Sequence, residues 1–257
     1  MHISNTPIKN KILQNTLISK TAGKLILIFC LSFSLCQVSL ATHKVYILHG
    51  YAGTMMQMDK IYKGLKHEGY VAENYTYPCF TKVIDSIGHD LYLKVKRENY
   101  DTVSFVTHSM GALVVRSMYN YIDATYHFPF IFRFVMLAPP NKGTEIADFF
   151  SNPALDLILG PNIALMRTDQ DSYAYKLPIP TCEVGLIVGI KGKQPWFNPF
   201  IKDDNDGTVS IKRAILGNEK EIVTVKSMHI LMPLRKKVVT LINRFMKTGS
   251  FIKASFN

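Results

Sequence analysis

The sequence predicts an α/β fold with a mostly parallel sheet and helices on both of its faces. Short apolar runs alternate with helical patterns along residues 42–257, which is typical of linked β-α-β units. No internal repeat and no linker rich in Gly, Ser and Pro divides the chain, so its 257 residues predict one domain. Hydrophobic residues make up 47% of the chain, which is enough to bury a full core.

The individual elements follow from the local residue pattern. Runs rich in β-branched and aromatic residues predict strands over 44–48, 71–77, 102–107, 132–138, 184–190 and 222–225. Apolar residues that recur three and four positions apart predict helices over 55–67, 83–97, 111–122 and 234–246.

One segment breaks this alternation. Residues 145–180 are helical only in patches, and four prolines and Gly160 interrupt them. Long insertions at the site end of a sheet often carry function, so we expect a small cap here. Its apolar side chains could bind an acyl chain or pack onto the core. The aromatic run 194–200 around Trp196 is a second candidate wall, or a plug that anchors the neighbouring loop.

The first 41 residues are typical of an export signal. Four lysines and no acidic residue precede an apolar run at 25–35, and Ser39-Leu40-Ala41 offers small residues for cleavage. We therefore expect residues 42–257 to be the folded domain of an exported protein, periplasmic or secreted. An uncleaved N-terminal anchor is the alternative, although the run is short of the roughly 20 residues of a spanning helix.

The charge is strongly basic. The formal net charge is +11, and the four lysines of the leader leave about +7 on the rest. Residues 235–237, Arg-Lys-Lys, could favour peripheral contact with an anionic membrane surface. No zinc-finger spacing and no aromatic-basic motif is present, which argues against nucleic acid as a partner.

Outside the leader, Cys79 and Cys182 could form one disulfide or remain two buried thiols.

Residues 107–111, Thr-His-Ser-Met-Gly, join a predicted strand to a predicted helix. A sharp strand-to-helix turn at a serine, usually written G-x-S-x-G, holds the hydroxyl out of the sheet as a nucleophile elbow. The N-terminus of the following helix supplies N–H groups and a positive dipole end. Ser109 is therefore the candidate nucleophile, with Thr107 in place of the first glycine.

An acid and a histidine follow Ser109 in the chain order that such a site needs. Asp206 lies in a turn-rich loop after the strand at 184–190, and Gly207 permits a tight turn that favours it over Asp203 and Asp204. His229 follows the strand at 222–225. A serine hydroxyl is a weak nucleophile without an imidazole base, and the imidazole needs a carboxylate that fixes its tautomer.

A glycine-rich turn at 48–54 follows the first strand. Such a turn can bring a backbone N–H to an oxyanion, so the N–H groups of Tyr51 and Met110 are the candidate donors. His49 is interpreted as a residue that shapes the turn and not as a second base.

These segments together resemble the lipase and esterase branch of the α/β-hydrolase family. The A-P-P-N-x-G-[ST] turn at 138–144 is the most specific of them. The others are the strand and turn at 47–50, the pentapeptide at 107–111, the run Asn-Asp-Gly-Thr-Val at 205–209, and His229.

The resemblance implies an α/β-hydrolase fold and a serine hydrolase that cleaves carboxylic esters through an acyl-enzyme. It implies Ser109 as nucleophile, Asp206 as acid, His229 as base, and Tyr51 and Met110 as oxyanion donors. It also implies an acyl ester or lipid substrate and no metal or organic cofactor. Alternatives are an acyltransferase or thioesterase on the same triad, or a non-catalytic membrane-associated binding protein on a hydrolase scaffold.

Overall fold

A computed structural model describes residues 42–123, 127–190 and 200–252. Within these ranges six strands form one sheet in the order β2-β1-β3-β4-β5-β6, and every neighbouring pair is parallel. The strands are β1 (His43–Leu48), β2 (Val71–Tyr75), β3 (Thr102–His108), β4 (Phe130–Leu137), β5 (Glu183–Ile190) and β6 (Glu221–Lys226). The predicted parallel sheet is confirmed.

The helices connect the strands in chain order. They are α1 (Met55–His67), α2 (Ile84–Glu98), α3 (Gly111–Met118), α4 (Glu145–Phe150), α5 (Pro153–Leu159), α6 (Asn162–Leu165), α7 (Tyr173–Lys176), α8 (Ile211–Ala214) and α9 (Lys236–Thr248). None of the helices in the described ranges combines the length and the apolar character that a bilayer-spanning helix needs.

The strands bury a different side-chain set on each face of the sheet. In β1, Tyr46 and Leu48 belong to the cluster on one face, and Val45 and Ile47 belong to the cluster on the other. This is the two-residue period of a strand. Helices α2 and α3 cover the first face, and α1 and α9 cover the second. The sheet is therefore buried on both sides, which explains its nearly continuous apolar strands.

Two helix boundaries differ from the prediction. The helix predicted over 111–122 ends at Met118, and a short 3-10 turn (Tyr119–Tyr121) follows it. The helix predicted over 234–246 begins at Lys236, because His229–Leu234 forms a 3-10 turn that contains Pro233. Proline lacks the N–H that a continuing α-helix would need.

The segment between β4 and β5 folds into the four short helices α4–α7. Its middle is fixed to the body by Asn162, which is fully buried. The Asn162 side chain accepts from the N–H of Ile84 and donates to the carbonyls of Cys79 and Lys82. At Gly160 a Cβ would lie 2.1 Å from the Phe80 carbonyl oxygen, so only glycine fits there.

Ion pairs gather at the N-terminal end of the sheet. Buried Lys44 of β1 bonds both Glu73 (2.6 Å) and Glu98 (2.5 Å), and Lys94 bonds the same two carboxylates. Burial opposes the ionisation of Glu98, but hydrogen bonds from Lys44, Lys94 and Tyr46 outweigh it and lower its pKa to about 2. These contacts join β1, β2 and α2.

Cys79 and Cys182 are both free thiols, Cys79 buried and Cys182 half-buried. Of the two arrangements left open by the sequence, the structure therefore has the unpaired one. The leader at 1–41 and most of the aromatic run at 194–200, including Trp196, lie outside the described residues.

Candidate active site

Ser109 lies in the turn between β3, which ends at His108, and α3, which begins at Gly111. Its φ angle is +53°, and its N–H donates to the Leu137 carbonyl at 2.8 Å. A non-glycine residue rarely adopts this left-handed conformation, which costs about 1–3 kcal/mol and persists only where surrounding structure enforces it. Ser109 thus has the backbone of a strained strand-to-helix elbow.

Close approach of the β1 end explains the small residues of this elbow. A Cβ on Gly111 would lie 2.6 Å from the His49 carbonyl oxygen, and a Cβ on Gly50 would lie 2.8 Å from Cβ of Ser109. Thr107 is fully buried between Leu48 and Met136 of the neighbouring strands, so this position accepts a side chain larger than glycine.

Asp206 and His229 lie in contact at the C-terminal edge of the sheet. The Nδ1–H of His229 donates to Oδ2 of Asp206 at 2.7 Å, and Asp206 is 1% exposed. The other carboxylate oxygen accepts the N–H groups of Thr208 (3.0 Å) and Val209 (2.8 Å). A neutral imidazole that donates from Nδ1 has its lone pair on Nε2, so Nε2 can accept a proton.

The neighbouring carboxylates do not share this position. Asp203 is exposed and Asp204 is half-buried, and the structure brings Asp206 to the imidazole. Asn205 shapes the loop, because its side chain accepts from the Gly207 N–H and donates to the Asp203 carbonyl. A local Asx turn of this kind fixes a short loop without secondary structure.

Ser109 and His229 line the same cavity, whose volume is about 320 Å³. No hydrogen bond between these two side chains occurs among the described residues. The two residues therefore share a cavity but are not directly bonded. Catalytic hydrogen bonds are often long before substrate binds and shorten in the complex. The arrangement brings a hydroxyl, an imidazole and a carboxylate to one end of the sheet.

The cavity has a largely apolar lining. The cap contributes six residues to it, namely Ile146, Ala147, Phe150, Leu159, Ile163 and Met166. Pro140, Val209 and Ile230 line it from the body of the domain. Apolar walls around a few convergent polar groups are typical of sites for small organic ligands.

Tyr51 lines the same cavity as Ser109, and Met110 follows Ser109 in the chain. Tyr51 occupies a tight turn closed by a bond from the Gly53 N–H to the Gly50 carbonyl, at 3.1 Å, and it lines the cavity. Met110 is the residue before α3. Among the hydrogen bonds of the described residues, none is donated by the backbone N–H of either residue. Both groups are thus available as donors, and the Met110 N–H also lies at the positive end of α3.

The turn at 138–144 connects α3, the segment α4–α7 and the loop that carries Asp206. Asn141 is fully buried, accepts from Arg116 of α3 and donates to the Ala214 carbonyl. The hydroxyl of Thr144 donates to the Thr208 carbonyl, beside Asp206, and also caps α4. At Gly143, where φ is +76°, a Cβ would lie 2.0 Å from the Arg167 carbonyl.

Arg116 supports this turn from below. Its guanidinium is fully buried and donates to the carbonyls of Leu177, Pro178 and Asn141. Burial lowers its pKa to about 10. A sequence pattern gives no sign that this helix residue points inward, since arginine is usually exposed.

Gly189 of β5 is a supporting residue that the sequence analysis did not single out, although its pattern offers a signal. A Cβ there would lie 2.6 Å from Cβ of Asp206 and 2.9 Å from the Met232 sulfur, so glycine lets the acid loop approach the strand. An isolated glycine in an apolar strand marks such close approach. His49 is buried against Tyr77, with ring centroids 4.2 Å apart, and is not among the residues that line the cavity.

No family model matches the sequence, and no curated protein sequence matches it. Solved structures do match. The mature lipase BlEst2 from Bacillus licheniformis superposes with a TM-score of 0.60 at 21% identity, over 82% of this chain and 94% of that chain. The propeptide form of that lipase gives 0.61 at 21% identity, and there the match covers 85% of this chain but 52% of the longer one.

This chain has the α/β-hydrolase fold. Other structural neighbours share it. The metagenomic carboxyl esterase MGS0156 has a TM-score of 0.54 at 19% identity, over 74% of this chain and 65% of that chain. The type II thioesterase BorB has a TM-score of 0.50 at 14% identity, over 81% and 94%. The fold-class prediction is confirmed, and the likeness concerns the fold.

Proposed function

We propose that the protein is a serine hydrolase that cleaves carboxylic esters, with Ser109 as nucleophile, His229 as base and Asp206 as the carboxylate that orients the base. One observation carries the proposal. Ser109, in a strained left-handed turn, opens into the same apolar cavity as His229, whose ring is bonded to a buried carboxylate. This is the set of groups that activates a serine hydroxyl.

In the proposed reaction, Oγ of Ser109 attacks the ester carbonyl carbon as Nε2 of His229 takes the hydroxyl proton. The N–H groups of Tyr51 and Met110 bind the resulting oxyanion. The carbon–oxygen bond to the alcohol then breaks, and the alcohol leaves with the proton from His229. Water attacks the acyl-serine in the same way, which releases the acid and restores Ser109.

The assignment is tested by a fluorophosphonate probe, which labels an activated serine, together with hydrolysis of nitrophenyl acyl esters. We expect the folded protein to be labelled and Ser109→Ala to lose both labelling and hydrolysis. Ser172→Ala is the matched control, because Ser172 is also a buried serine but does not line the cavity. Labelling that survives in Ser109→Ala would remove Ser109 from the role of nucleophile.

The substrate we propose is an uncharged ester with an apolar acyl chain. Among the described residues that line the cavity there is no Asp, Glu, Lys or Arg, and His229 is the only histidine. Each buried methylene contributes about 0.8 kcal/mol, so KM should fall about fourfold per methylene until the cavity is full. A chain-length series of nitrophenyl esters measures where this trend ends, and a flat series would argue against an acyl site.

Two alternatives keep parts of this proposal. An acyltransferase or thioesterase would use the same three residues. The structural similarity to the thioesterase BorB is the reason to test thioesters. Product analysis with thioester substrates and with added alcohols separates these reactions. A non-catalytic binding protein on this scaffold would bind the ester without turnover and would not react with the probe.

We further propose that the cavity mouth contacts an anionic lipid surface. Ile230 and Phe150 both line the cavity and are exposed, and Met56, which precedes Gln57 in α1, is 78% exposed. Gln57 bonds the Ile230 carbonyl, which holds the start of α1 beside this mouth. The exposed basic residues 235–237 follow Leu234, whose carbonyl accepts a hydrogen bond from Lys60 of α1. Cationic side chains add about 1 kcal/mol each at an anionic surface.

Sedimentation with phospholipid vesicles tests this contact. We expect binding to anionic vesicles, weaker binding to neutral ones, and a loss in Met56→Ser. Ile252→Ser is the matched control, since Ile252 is 68% exposed and lies after α9, where Phe251 bonds Glu221 at the start of β6. Equal binding by the two variants would argue against the mouth as the contact surface.

Export, proposed from residues 1–41, is tested by fractionating cells and sequencing the N-terminus of the product.

A further inference from the structure

His108 is buried at the centre of the candidate site, yet the proposed reaction gives it no task. It is 2% exposed, and its ring centroid lies 4.7 Å from that of His229. It precedes the nucleophile directly, but it is not among the residues that line the cavity.

The first contact is with the main chain of His229. Nε2 of His108 lies 3.1 Å from the His229 carbonyl oxygen. A carbonyl oxygen only accepts, so Nε2 carries the proton and donates it. The N–H of His229 donates to the Asp206 carbonyl at 2.9 Å. Both polar groups of the His229 main chain are therefore held, one by Asp206 and the other by His108.

The second contact is with the turn that carries Tyr51. A Cβ built on Gly50 would lie 3.1 Å from Nδ1 of His108, so the ring packs directly against this glycine. Nδ1 has no hydrogen-bond partner among the described residues. The His108 ring thus lies between Gly50 and His229, and the donated bond to His229 is its directional interaction.

The charge of His108 suits this position. Burial, followed by the nearby rings of His229 and His49, lowers its pKa well below the usual value, against the opposing effect of the bonded carbonyl. A neutral ring adds no like charge beside His229, which must become a cation during the proposed reaction.

We propose that His108 is a positioning residue, a neutral donor that fixes the main chain of His229 and so sets the separation between the imidazole and Ser109. This inference rests on the proposed function, because it assigns His108 a part in that same site. Displacement of a reacting group by about 1 Å can cost 10²-fold in rate, so a bond that holds the base has a measurable effect.

The test compares His108→Leu, which cannot donate, with His108→Gln, whose amide can. We expect kcat per probe-labelled site to fall about 10- to 100-fold in His108→Leu with KM unchanged, and most of that loss to be recovered in His108→Gln. His43→Leu is the matched control, because His43 is a partly buried histidine that bonds Ser104 at the other end of the sheet. Its kcat per labelled site should equal that of the parent protein.

A second measurement does not depend on turnover. NMR detects the Nδ1 proton of His229, which the bond to Asp206 protects from exchange with water. We expect the protection to persist in His108→Gln and His43→Leu and to be lost in His108→Leu. If His108→Leu does not fold, His108→Asn takes its place, since its shorter amide falls short of the carbonyl and should behave like a lost donor.

The outcomes are distinct. Full kcat per labelled site together with a protected proton in His108→Leu or its replacement overturns the inference, and so does equal loss in His108→Gln. A parent protein that neither reacts with the probe nor hydrolyses esters would instead refute the proposed function. Loss of proton protection in His108→Leu would then still support the contact between His108 and His229.

Discussion

The two ends of the sheet are built on different principles. At the N-terminal end, Lys44, Glu73, Glu98 and Lys94 form a partly buried cluster in which every charge faces an opposite one. The C-terminal end has a largely apolar cavity in place of such a cluster, and residues there have a strained backbone. Of the four described non-glycine residues with positive φ, Ala52, Ser109 and Ala138 lie there.

This difference separates stability from chemistry within one fold. Paired charges join β1, β2 and α2 where nothing has to react, and strain persists at the other end because the surrounding core enforces it. Open α/β sheets place ligand sites at the C-terminal ends of their strands. Substitutions at the two ends should therefore fall into two classes, one that changes rate and one that changes the free energy of unfolding.

Asp206→Asn should give the largest rate effect. Asparagine keeps an oxygen for the N–H groups of Thr208 and Val209, so the loop should fold as before. Its amide would face Nδ1 of His229 with a donor, which imposes the wrong tautomer, and kcat should fall about 10⁴-fold. Ester hydrolysis and thermal unfolding measure the two properties. Asp203→Asn, at an exposed neighbour, is the control, and an equal loss there would contradict the assignment of Asp206.

Gly50→Ala should give a smaller rate effect with some loss of stability. The new methyl would lie 2.8 Å from Cβ of Ser109 and 3.1 Å from Nδ1 of His108, which displaces the turn that carries Tyr51. Misplacing one oxyanion donor costs about 10²–10³ in kcat, and overpacking costs about 1–3 kcal/mol.

Gly217→Ala is the control for that change. Gly217 has a φ of +106° and no atom within 4 Å of a built Cβ, so alanine strains the backbone without pressing on the site. Its melting temperature should fall while kcat stays at the parent value. A parallel loss of kcat in both variants would mean that strain anywhere in the domain impairs turnover.

Glu98→Gln should act at the other end of the sheet, on stability alone. Glu98 accepts hydrogen bonds from Lys44, Lys94 and Tyr46, and hydrogen bonds to a charged group contribute about 1.5–3 kcal/mol. The free energy of unfolding in urea should fall by that amount at neutral pH, with kcat unchanged. Asp90→Asn, which breaks the exposed pair with Lys82, should cost less than about 1 kcal/mol. A rate defect in Glu98→Gln would contradict the view that the N-terminal end of the sheet affects stability alone.

The pH dependence of unfolding also tests the role of Glu98 in stability. The pKa of Glu98 is lowered from 4.5 to about 2 in the folded protein, so the unfolded chain takes up this proton first as the pH falls. The contribution of Glu98 is therefore fully present above pH 4.5 and is lost between about 4.5 and 2. The parent protein should lose stability across this window more steeply than Glu98→Gln. Parallel curves for the two proteins would argue against an ionised, bonded Glu98.

Local pattern predicted the fold well because each strand and long helix carries its own periodicity. The sequence pattern predicted the ends of two helices incorrectly. The turn at 229–234, which contains Pro233, is 3-10, and α3 ends at Met118 although the predicted helix continues to residue 122. The order of Ser109, Asp206 and His229 along the chain predicted them as site residues. Each follows a strand, and a parallel sheet brings the C-terminal ends of its strands to one edge.

The supporting contacts were beyond sequence reasoning, for a physical reason. The bond from His108 to the His229 carbonyl spans 121 positions, and that from Arg116 to the Leu177 carbonyl spans 61. Neither residue carries a periodic signal, and arginine and histidine are common at surfaces. Gly189 differs, because a glycine inside an apolar strand does indicate that another segment approaches closely.

The anchoring of the cap at Asn162 has a consequence for how substrate preference can diversify. Three side-chain bonds fix the chain just after Gly160, and the turn at 138–144 fixes it just before α4. Insertions and deletions between Phe150 and Gly160 leave both attachments in place. That stretch is therefore where natural or designed variants of this sequence can lengthen or shorten the cover of the cavity while both attachments keep their contacts.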